Sequence, residues 1–309
     1  MKLCRYEQNG QARAGFFTSE KVIPLSAAAK SAGGSLPDTD DLLEFLPNGA
    51  GREAALRVEI WLQANAEAAA SLSVADAKIL TPIPRPNKLL LLAGNYAKHI
   101  EESGGIAVER ARTFPYVFMK PPSTTLNRHG GGIPIPAISP DHIDWECELG
   151  VVIGKRAKGV SEADALDFVA GYTVVNDISD RGFRPNPNRE PRERDPFFDW
   201  QHGKWHDGSC PVGPCIACPE SIPDPQALPL KLSVNSTVHQ DANTAMQIFP
   251  VAAVIEFVSA FVTLEPGDII STGTAAGVGH AKGVHLQPGD VVEASIDGIG
   301  VLKNKMVSE

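Results

Sequence analysis

A short acidic run constrains the fold of this chain more than any other feature. The run ECELGVVI begins with Glu146 and Glu148, two positions apart, and continues as an apolar strand. Side chains alternate between the faces of a strand, so both carboxylates should leave the same face. A second apolar run, Tyr172–Val175, is followed by Asp177 where the chain turns. The fold must therefore accommodate three acidic side chains near two strand ends.

Three carboxylates held together repel one another unless a positive charge lies between them. A hard divalent cation such as Mg²⁺, Mn²⁺ or Ca²⁺ prefers oxygen ligands of this kind. The pattern is equally compatible with two surface carboxylates on a half-exposed strand, because Glu-x-Glu is common in strands. The spacing by itself leaves both interpretations open.

Length and composition fit one large domain or two unequal ones. The chain has 309 residues, of which 43% are hydrophobic and 21% charged. The proline-rich segment Thr81–Pro86 stiffens the chain and cannot join the interior of a sheet. We place a domain boundary there, between a small N-terminal α/β domain at 1–84 and a larger domain at 85–309.

The formal net charge of −9 argues against nucleic acids and anionic membranes as partners, because both require clustered Lys and Arg. Small anionic substrates remain possible, since a bound cation reverses the local field. The N-terminus lacks an apolar signal core, and no apolar run approaches membrane-spanning length. We therefore expect a cytoplasmic protein.

Five cysteines are an odd number and are expected to be free thiols. Cys210, Cys215 and Cys218 match part of an iron-sulfur spacing. The intervening PVGPCIACP is better interpreted as a strand entering the core.

The segment GNYAKHIEESGG predicts a helix from about Tyr96 to Ser103. His99 and Glu102 are three positions apart and should be neighbours on one helix face. A carboxylate beside an imidazole fixes its tautomer and raises its basicity, as a general base for water requires. The alternative is an exposed helix pair without function. The polar segment that runs on to Thr113 suits a mobile lid.

Other local signals complete the prediction of secondary structure. They predict a hairpin at Asn9-Gly10, helices at about Thr39–Leu46, Arg52–Ser71, Ser161–Phe168 (capped by Ser161) and Val251–Leu264, an edge strand at Ile133–Pro136, a hairpin around Asn235, and a long loop between Asp180 and Lys204. LEPGD and LQPGD predict two similar turns, each leading into a strand.

The arginine-rich loop and a glycine-rich loop offer groups for an anionic substrate. Arg181 lies four residues after Asp177 and could reach the same cleft to bind a carboxylate. Lys204 stands between Trp200 and Trp205, where an ammonium can stabilise an oxyanion. The loop STGTAAGVGH has backbone amides and threonine hydroxyls able to hold a carboxylate, but lacks the helix start of a dinucleotide site.

In this order the segments resemble the fumarylacetoacetate hydrolase superfamily. The matching segments cover about residues 88 to 304 and read GNYAKHIEESG, FMKPPS, DWECELGVVIG, GYTVVNDISDRGF, GKW before CPVGP, LEPGDIISTGTAAGVG and PGDVVEASIDGIGVLKN. The resemblance implies an α+β, mainly β fold, a mixed β-sheet roll, with a small N-terminal domain as in many bacterial members. It also implies a homodimer.

The resemblance also implies a role for each site residue. Glu146, Glu148 and Asp177 would bind Mg²⁺ or Mn²⁺, with Ca²⁺ as a possible substitute. His99 and Glu102 would form the dyad that activates water, and Lys204 would be the catalytic lysine. Arg181, Arg184, Gly273 and Thr274 would bind substrate. Two departures concern the substrate pocket: Ala275 replaces the usual proline of the glycine loop, and Arg184 stands where many relatives have glutamine, before a longer loop at 185–199.

The function predicted in this way is hydrolysis of a carbon-carbon bond in a 2,4-dioxo acid such as an acylpyruvate. A decarboxylase, tautomerase, isomerase or hydratase is a close alternative, because each works on the same chelated 2-oxo acid. A metal-dependent nuclease is disfavoured by the acidic net charge. A metal-stabilised module without catalysis is disfavoured by the pairing of His99 with Glu102.

Overall fold

The structure is a computed structural model that describes residues 1–18, 21–74 and 77–309. The strands are β1 (Lys2–Gln8), β2 (Gln11–Thr18), β3 (Lys21–Pro24), β4 (Lys78–Leu80), β5 (Leu89–Ala93), β6 (Tyr116–Met119), β7 (Leu126–Asn127), β8 (Gly132–Ile135), β9 (Ile143–Asp144), β10 (Cys147–Ile153), β11 (Val169–Asn176), β12 (Ser179–Asp180), β13 (Cys210–Ala217), β14 (Pro229–Val234), β15 (Thr237–Asn243), β16 (Ile269–Thr274), β17 (Val291–Ile296) and β18 (Gly300–Ser308).

The described residues contain fewer α-helices than strands. They are α1 (Leu25–Ser31), α2 (Arg52–Ala64), α3 (Ala66–Leu72), α4 (Ala97–Glu102), α5 (Asp195–His202), α6 (Val251–Phe261) and α7 (Gly279–Lys282). Within the described ranges, no helix is both long and apolar enough to span a membrane.

The described residues form a large mixed sheet, a five-stranded sheet and a two-stranded sheet of β9 and β12. The large sheet has the order β3-β2-β1-β13-β11-β10-β16-β5-β6, with β4 against β1 and β7 against β13. The smaller sheet has the order β15-β14-β17-β18-β8. Antiparallel and parallel pairs coexist, since β16 runs parallel to β5 and β18 parallel to β8. This architecture confirms the predicted α+β, mainly β fold.

Strands β10 and β11 lie in the middle of the large sheet, and every residue in both is buried. Along β10, Leu149 and Val151 belong to the apolar core shared with the five-stranded sheet, whereas Val152 belongs to the core of the other face. Both faces of the sheet are therefore covered, and Glu146 and Glu148 lie on the Val152 side by strand alternation.

The N-terminal strands continue the large sheet. Strand β1 pairs antiparallel with β13, with Lys2 opposite Ala217 and Leu3 opposite Ile216. The hairpin of β1 and β2 turns at Asn9-Gly10 as predicted, and both turn residues have positive φ angles of 53° and 76°. The predicted boundary near residue 84 stays a prediction.

Four predicted elements differ from the structure. The helix expected at Thr39–Leu46 is a single 3₁₀ turn, Leu42–Glu44, and the one at Ser161–Phe168 is confined to Ala165–Phe168. The hydroxyl of Ser161 donates to the Asp164 carboxylate, and the predicted helix cap is therefore wrong. The helix from Arg52 is interrupted at Asn65 between α2 and α3. The long loop contains helix α5, which the sequence analysis missed because its clustered prolines and arginines hide the helical spacing.

The five cysteines are free and buried, as expected from the sequence. Cys210 and Cys215 lie within β13, and burial raises the pKa of both thiols to about 12. Thiols held neutral in a buried strand are core residues, which agrees with rejecting the iron-sulfur interpretation.

The two Pro-Gly-Asp turns contain the same type of hydrogen bond, from a backbone amide to the aspartate carboxylate. Asp268 accepts from the amide of Glu265 at 2.7 Å, and Asp290 accepts from that of Gln287 at 2.8 Å. They differ in burial, because Asp268 is fully buried and also binds the amide and the ammonium of Lys88, each at 2.9 Å. Asp268 thus joins the start of β5 to the start of β16.

We predict that Asp268→Ala destabilises the fold by about 3 kcal/mol or more, because it leaves the Lys88 ammonium without its buried partner. The variant Asp290→Ala removes the same turn bond and an exposed bond from the Asn235 amide at 2.7 Å, but no ion pair, and should cost only about 1 kcal/mol. Urea unfolding of both variants measures the difference. Equal losses would show that Lys88 contributes nothing.

Candidate functional site

The predicted acidic residues meet at the end of the central strand pair. Strands β10 and β11 pair with Cys147 opposite Asn176, which places Glu146 and Glu148 beside Asp177. All three side chains are buried, and one carboxylate oxygen from each lies within 4.8 Å of the others. Antiparallel pairing of two strands, each with acids at its end, thus produces the cluster expected from the sequence.

Glu148 is the carboxylate of the cluster that has no ion-pair partner among the described residues. Burial, followed by the charges of Asp177 and Glu146, raises the pKa of Glu148 well above its ordinary value. Its oxygen Oε2 accepts from the Ser271 hydroxyl at 2.6 Å and the Gly273 amide at 2.9 Å. No donor among the described residues reaches Oε1. Three clustered carboxylates, one of them without a cationic partner, fit a hard divalent cation.

Lys204 bridges two of the carboxylates. Its ammonium donates to Glu146 Oε2 and Asp177 Oδ2, both at 2.6 Å. Burial alone would raise the pKa of Glu146, but Lys204 and Arg181 lower it to about 2. The structure therefore places Lys204 in the site, as predicted, and in direct contact with two of the candidate metal ligands.

A second buried lysine was missed by the sequence analysis. Lys120 donates to Asp177 Oδ1 at 2.6 Å and to the carbonyls of Ile178 and Ser209 at 2.9 and 3.1 Å. These contacts use its three donors and leave none for a ligand. Lys120 fixes the orientation of Asp177 and supplies charge. Its only sequence signal was a lysine directly after the apolar run of β6.

Arg181 lies between two carboxylates. It forms ion pairs with Glu146 and with Asp144, the latter at 3.0 Å. Asp144 was also missed, and it accepts from the amides of Gly279 at 2.6 Å and His280 at 3.1 Å. Arg181 thus connects Glu146 to the glycine loop, while its predicted contact with substrate stays a prediction.

His99 and Glu102 form the pair that their spacing predicts. His99 Nδ1 and Glu102 Oε1 are 2.8 Å apart, and His99 lines the same cavity as Glu146 and Glu148. No hydrogen-bond partner of Nε2 occurs among the described residues. Burial opposes ionisation of Glu102, but hydrogen bonds from His99 and the Gly277 amide lower its pKa overall. A carboxylate kept ionised can hold a proton on Nδ1 and leave Nε2 to act as a base.

Helix α4, which bears this pair, is attached to the glycine loop. Glu102 Oε2 accepts from the amide of Gly277 at 2.8 Å. Gly277 has a φ angle of 106°, and an added Cβ would lie 2.1 Å from the His239 carbonyl oxygen. The residues after α4 are also anchored, by an ion pair of Arg110 with Glu162. The lid mobility expected for His99–Thr113 stays a prediction.

The other glycine-loop groups are occupied by protein partners. The Thr274 hydroxyl accepts from Gln240 at 2.9 Å and donates to the Cys147 carbonyl at 3.1 Å. The Gly273 amide donates to Glu148. The predicted substrate-binding roles of Gly273 and Thr274 stay predictions. In this structure the two residues brace the strand that carries the acids.

A cavity of about 760 Å³ contains the site. Its lining includes the carboxylates of Glu146 and Glu148, His99, Lys204 and a wall drawn from residues 180–200. Arg184 lies on that wall and is exposed. The segment that looked like a surface excursion in the sequence therefore forms one side of the candidate active site.

Comparisons with known proteins point to one family. The family model described as "Fumarylacetoacetate (FAA) hydrolase C-terminal" matches residues 88–307. The chain is 36% identical over 315 residues to the 2,4-didehydro-3-deoxy-L-rhamnonate hydrolase of Sphingomonas sp. (strain SKA58), covering 100% of this chain and 96% of the relative. It is 37% identical over 288 residues to a mitochondrial oxaloacetate tautomerase of Bos taurus, covering 93% and 84%.

Solved structures give the same result across the whole chain. A fumarylacetoacetate hydrolase from Exiguobacterium antarcticum superimposes with a TM-score of 0.78 at 29% identity, covering 100% of both chains. The maleylpyruvate hydrolase from Sphingobium sp. SYK-6, in complex with manganese(II) and pyruvate, has a TM-score of 0.70 at 27% identity, covering 100% of this chain and 99% of the other.

We predict that Glu148→Gln weakens Mn²⁺ binding by about 100-fold or more, because a neutral amide replaces a charged ligand. Without metal the variant should be as stable as the parent or more so, because two carboxylates no longer repel a third. Calorimetry and urea unfolding measure the two effects. Glu101→Gln, which makes the same change of charge at an exposed position, is the control. Unchanged Mn²⁺ affinity in Glu148→Gln would contradict the assignment.

We also predict that Gly277→Ala releases helix α4, because the new Cβ displaces the amide that binds Glu102. Hydrogen exchange across residues 97–104 should lose protection. Gly283→Ala is the matched control, since Gly283 also has a positive φ angle, 66°, but no atom within 4 Å of an added Cβ. Equal protection in both variants would show that the Gly277 contact does not hold the helix.

Proposed function

Because this chain belongs to the fumarylacetoacetate hydrolase family, we propose that it is a divalent-metal-dependent hydrolase that cleaves a carbon-carbon bond of a 2,4-dioxo acid. The observation that carries the proposal is the meeting in one cavity of the carboxylate cluster and His99, whose Nε2 has no hydrogen-bond partner in the described part of the chain. In this proposal the carboxylate cluster holds the metal and the substrate, and His99 activates water beside them.

The ligands of the metal in this proposal are Glu146, Glu148 and Asp177. Mg²⁺ or Mn²⁺ held there would supply Lewis acidity toward the oxygens of the 2-oxo acid. The Sphingobium relative, solved in complex with manganese(II) and pyruvate, supports the choice of a divalent metal and a 2-oxo acid. The donor set alone does not favour one hard cation over another.

The protein groups can perform the proton transfers. His99 Nε2 takes a proton from water, and Glu102 stabilises the imidazolium through Nδ1. The water oxygen adds to the carbonyl at C4, and the bond between C3 and C4 breaks with its electron pair left on C3. Lys204 stabilises the negative charge that develops on the departing pyruvate unit. Protonation of C3 by the imidazolium gives pyruvate and a carboxylic acid.

Tautomerisation of a 2-oxo acid is the second candidate. The 37% identity to the bovine oxaloacetate tautomerase favours it. That reaction needs removal and return of one proton beside the carbonyl, for which His99 is also placed. Isomerisation, decarboxylation and hydration use the same held 2-oxo acid. A small 2-oxo acid as the partner, the absence of nucleic-acid and membrane partners, a cytoplasmic location and a homodimer stay predictions.

We predict that His99→Ala lowers acylpyruvate hydrolysis by about 10² to 10⁴-fold, the usual contribution of a general base, while Mn²⁺ affinity stays near that of the parent. Any oxaloacetate decarboxylation should fall less, because it requires no activated water. The control Lys98→Ala changes an exposed neighbour on the same helix.

Oxygen-labelled water distinguishes the reactions directly. Hydrolysis places solvent oxygen in the released carboxylic acid, whereas a tautomerase forms no such product. Two results together would refute the hydrolase proposal: the parent enzyme turns over acylpyruvates poorly, and the His99→Ala variant keeps full activity in the best reaction of the parent. The assignment of the metal site would not be affected.

A further inference from the structure

Three of the eight histidines of the chain lie together beside strand β9, apart from the carboxylate cluster. The ring centres of His142 and His285 are 4.9 Å apart, and those of His280 and His285 are 6.3 Å apart. His142 and His280 are exposed, and His285 is half-buried. The proposed function uses none of these rings. Because imidazole is the commonest metal ligand in proteins, this histidine cluster is a candidate for a second metal site.

Backbone hydrogen bonds hold the three histidines in place. The Ile143 carbonyl accepts from the Leu286 amide at 2.8 Å, and each of these residues directly follows a histidine of the cluster. The amide of the third histidine, His280, donates to the buried Asp144 carboxylate at 3.1 Å. The fold therefore fixes the three backbone positions, and the rings can change position only by side-chain rotation.

The separation of the rings suits one shared ion. A Zn–N bond of about 2.0 to 2.1 Å places the centres of two imidazoles on a tetrahedral ion about 5 Å apart. His142 and His285 already have this separation. His280 is exposed and needs to approach by only about 1 Å. Within the described ranges, only the carboxylate cluster has three donor atoms already within 4.8 Å of one another, so the histidine cluster has to close around its ion.

One nitrogen of the histidine cluster is buried and unpaired. His285 Nδ1 is shielded from solvent and has no hydrogen-bond partner in the part of the chain that the structure describes. Such an atom is unfavourable unless a ligand satisfies it. Burial, followed by the charge of His142, lowers the pKa of His285. The ring is therefore mostly neutral at pH 7, which is the form that binds a metal.

The charges near the histidine cluster oppose one another. The Asp144 carboxylate attracts a cation, and the Arg181 guanidinium, which is ion-paired with it at 3.0 Å, repels one. The Asp144 oxygens accept from Arg181 and from backbone amides, so Asp144 is not a free ligand. The affinity of the site therefore has to come from imidazole nitrogens. Nitrogen ligands favour borderline transition metals, whereas Mg²⁺ prefers oxygen.

We propose that His142, His280 and His285 bind one borderline transition-metal ion such as Zn²⁺, at a site separate from the hard-cation site of the carboxylate cluster. The three imidazoles leave one tetrahedral position for water. The ion joins the turn at 279–286 to the start of β9, next to the cavity that His280 lines. This inference does not depend on the proposed function, because it involves no substrate and no catalytic residue.

Calorimetry of the full chain with Zn²⁺, in excess Mg²⁺, measures the site. We expect a binding event with a dissociation constant of about 10 µM or below. His142→Asn and His285→Gln should each weaken it by about 100-fold, at least as much as the loss of a group that only orients a ligand. His202→Gln, at a half-buried histidine outside the histidine cluster, should leave it unchanged.

The variant Glu148→Gln separates the two metal sites. It disables the carboxylate cluster and should retain the Zn²⁺ binding that depends on the histidines. If Zn²⁺ binding is instead lost in Glu148→Gln and unchanged in His142→Asn and His285→Gln, the ion occupies only the carboxylate cluster and the inference is wrong.

Imidazole nitrogen NMR of the parent chain identifies the ligands without any substitution. Zn²⁺ should shift the ring nitrogens of His142, His280 and His285 together, whereas Mg²⁺ alone should shift none of the three. Shifts confined to His99, or to a single ring of the histidine cluster, would overturn the inference. Acylpyruvate turnover enters neither measurement, so failure of the hydrolase proposal and failure of this site are distinguishable.

Discussion

The structure depends on burying three carboxylates together at the centre of its largest sheet. Removing charges from water costs several kcal/mol for each ion unless opposite charges and hydrogen bonds compensate. Lys120, Lys204 and Arg181 provide that compensation for Asp177 and Glu146, and Glu148 is left with hydrogen bonds alone. The remaining imbalance is what makes the cluster suited to a cation, and the surrounding strands make it rigid.

The backbone of one glycine-rich loop binds three carboxylates that have different roles in the site. Between residues 273 and 279 its amides bind Glu148 in the cluster, Glu102 on helix α4 and Asp144 behind Arg181. A single backbone segment therefore positions a candidate metal ligand, the group that orients the candidate base and the anchor of a cationic side chain. The close approach of this backbone to three carboxylates explains the density of glycine, as at Gly277, where a side chain would collide with a neighbouring strand.

The distribution of charge around the cavity differs from that of the chain as a whole. The net charge is −9, yet the wall formed by residues 182–200 contributes arginines to the cavity. Arg189 and Arg192 form ion pairs with Asp195 and Asp199 of helix α5. These ion pairs connect the segment to the helix. The segment contains four arginines and four carboxylates, so it is neutral as a whole although the chain is acidic.

The sequence by itself determined the two strands next to the acids, the common face of Glu146 and Glu148, and the neighbouring positions of His99 and Glu102. These follow from the periods of strand and helix, which act over a few residues. Only the tertiary structure decided that Lys120 and Asp144 join the site and that the glycine loop binds protein carboxylates. Those contacts join residues distant in the chain, and their partners are chosen by the packing of whole sheets, which no local spacing records. Local composition also predicted helices at Thr39–Leu46 and Ser161–Phe168, but the folded chain has only short 3₁₀ turns there. Most of the stability of a helix comes from tertiary packing, which local composition does not specify.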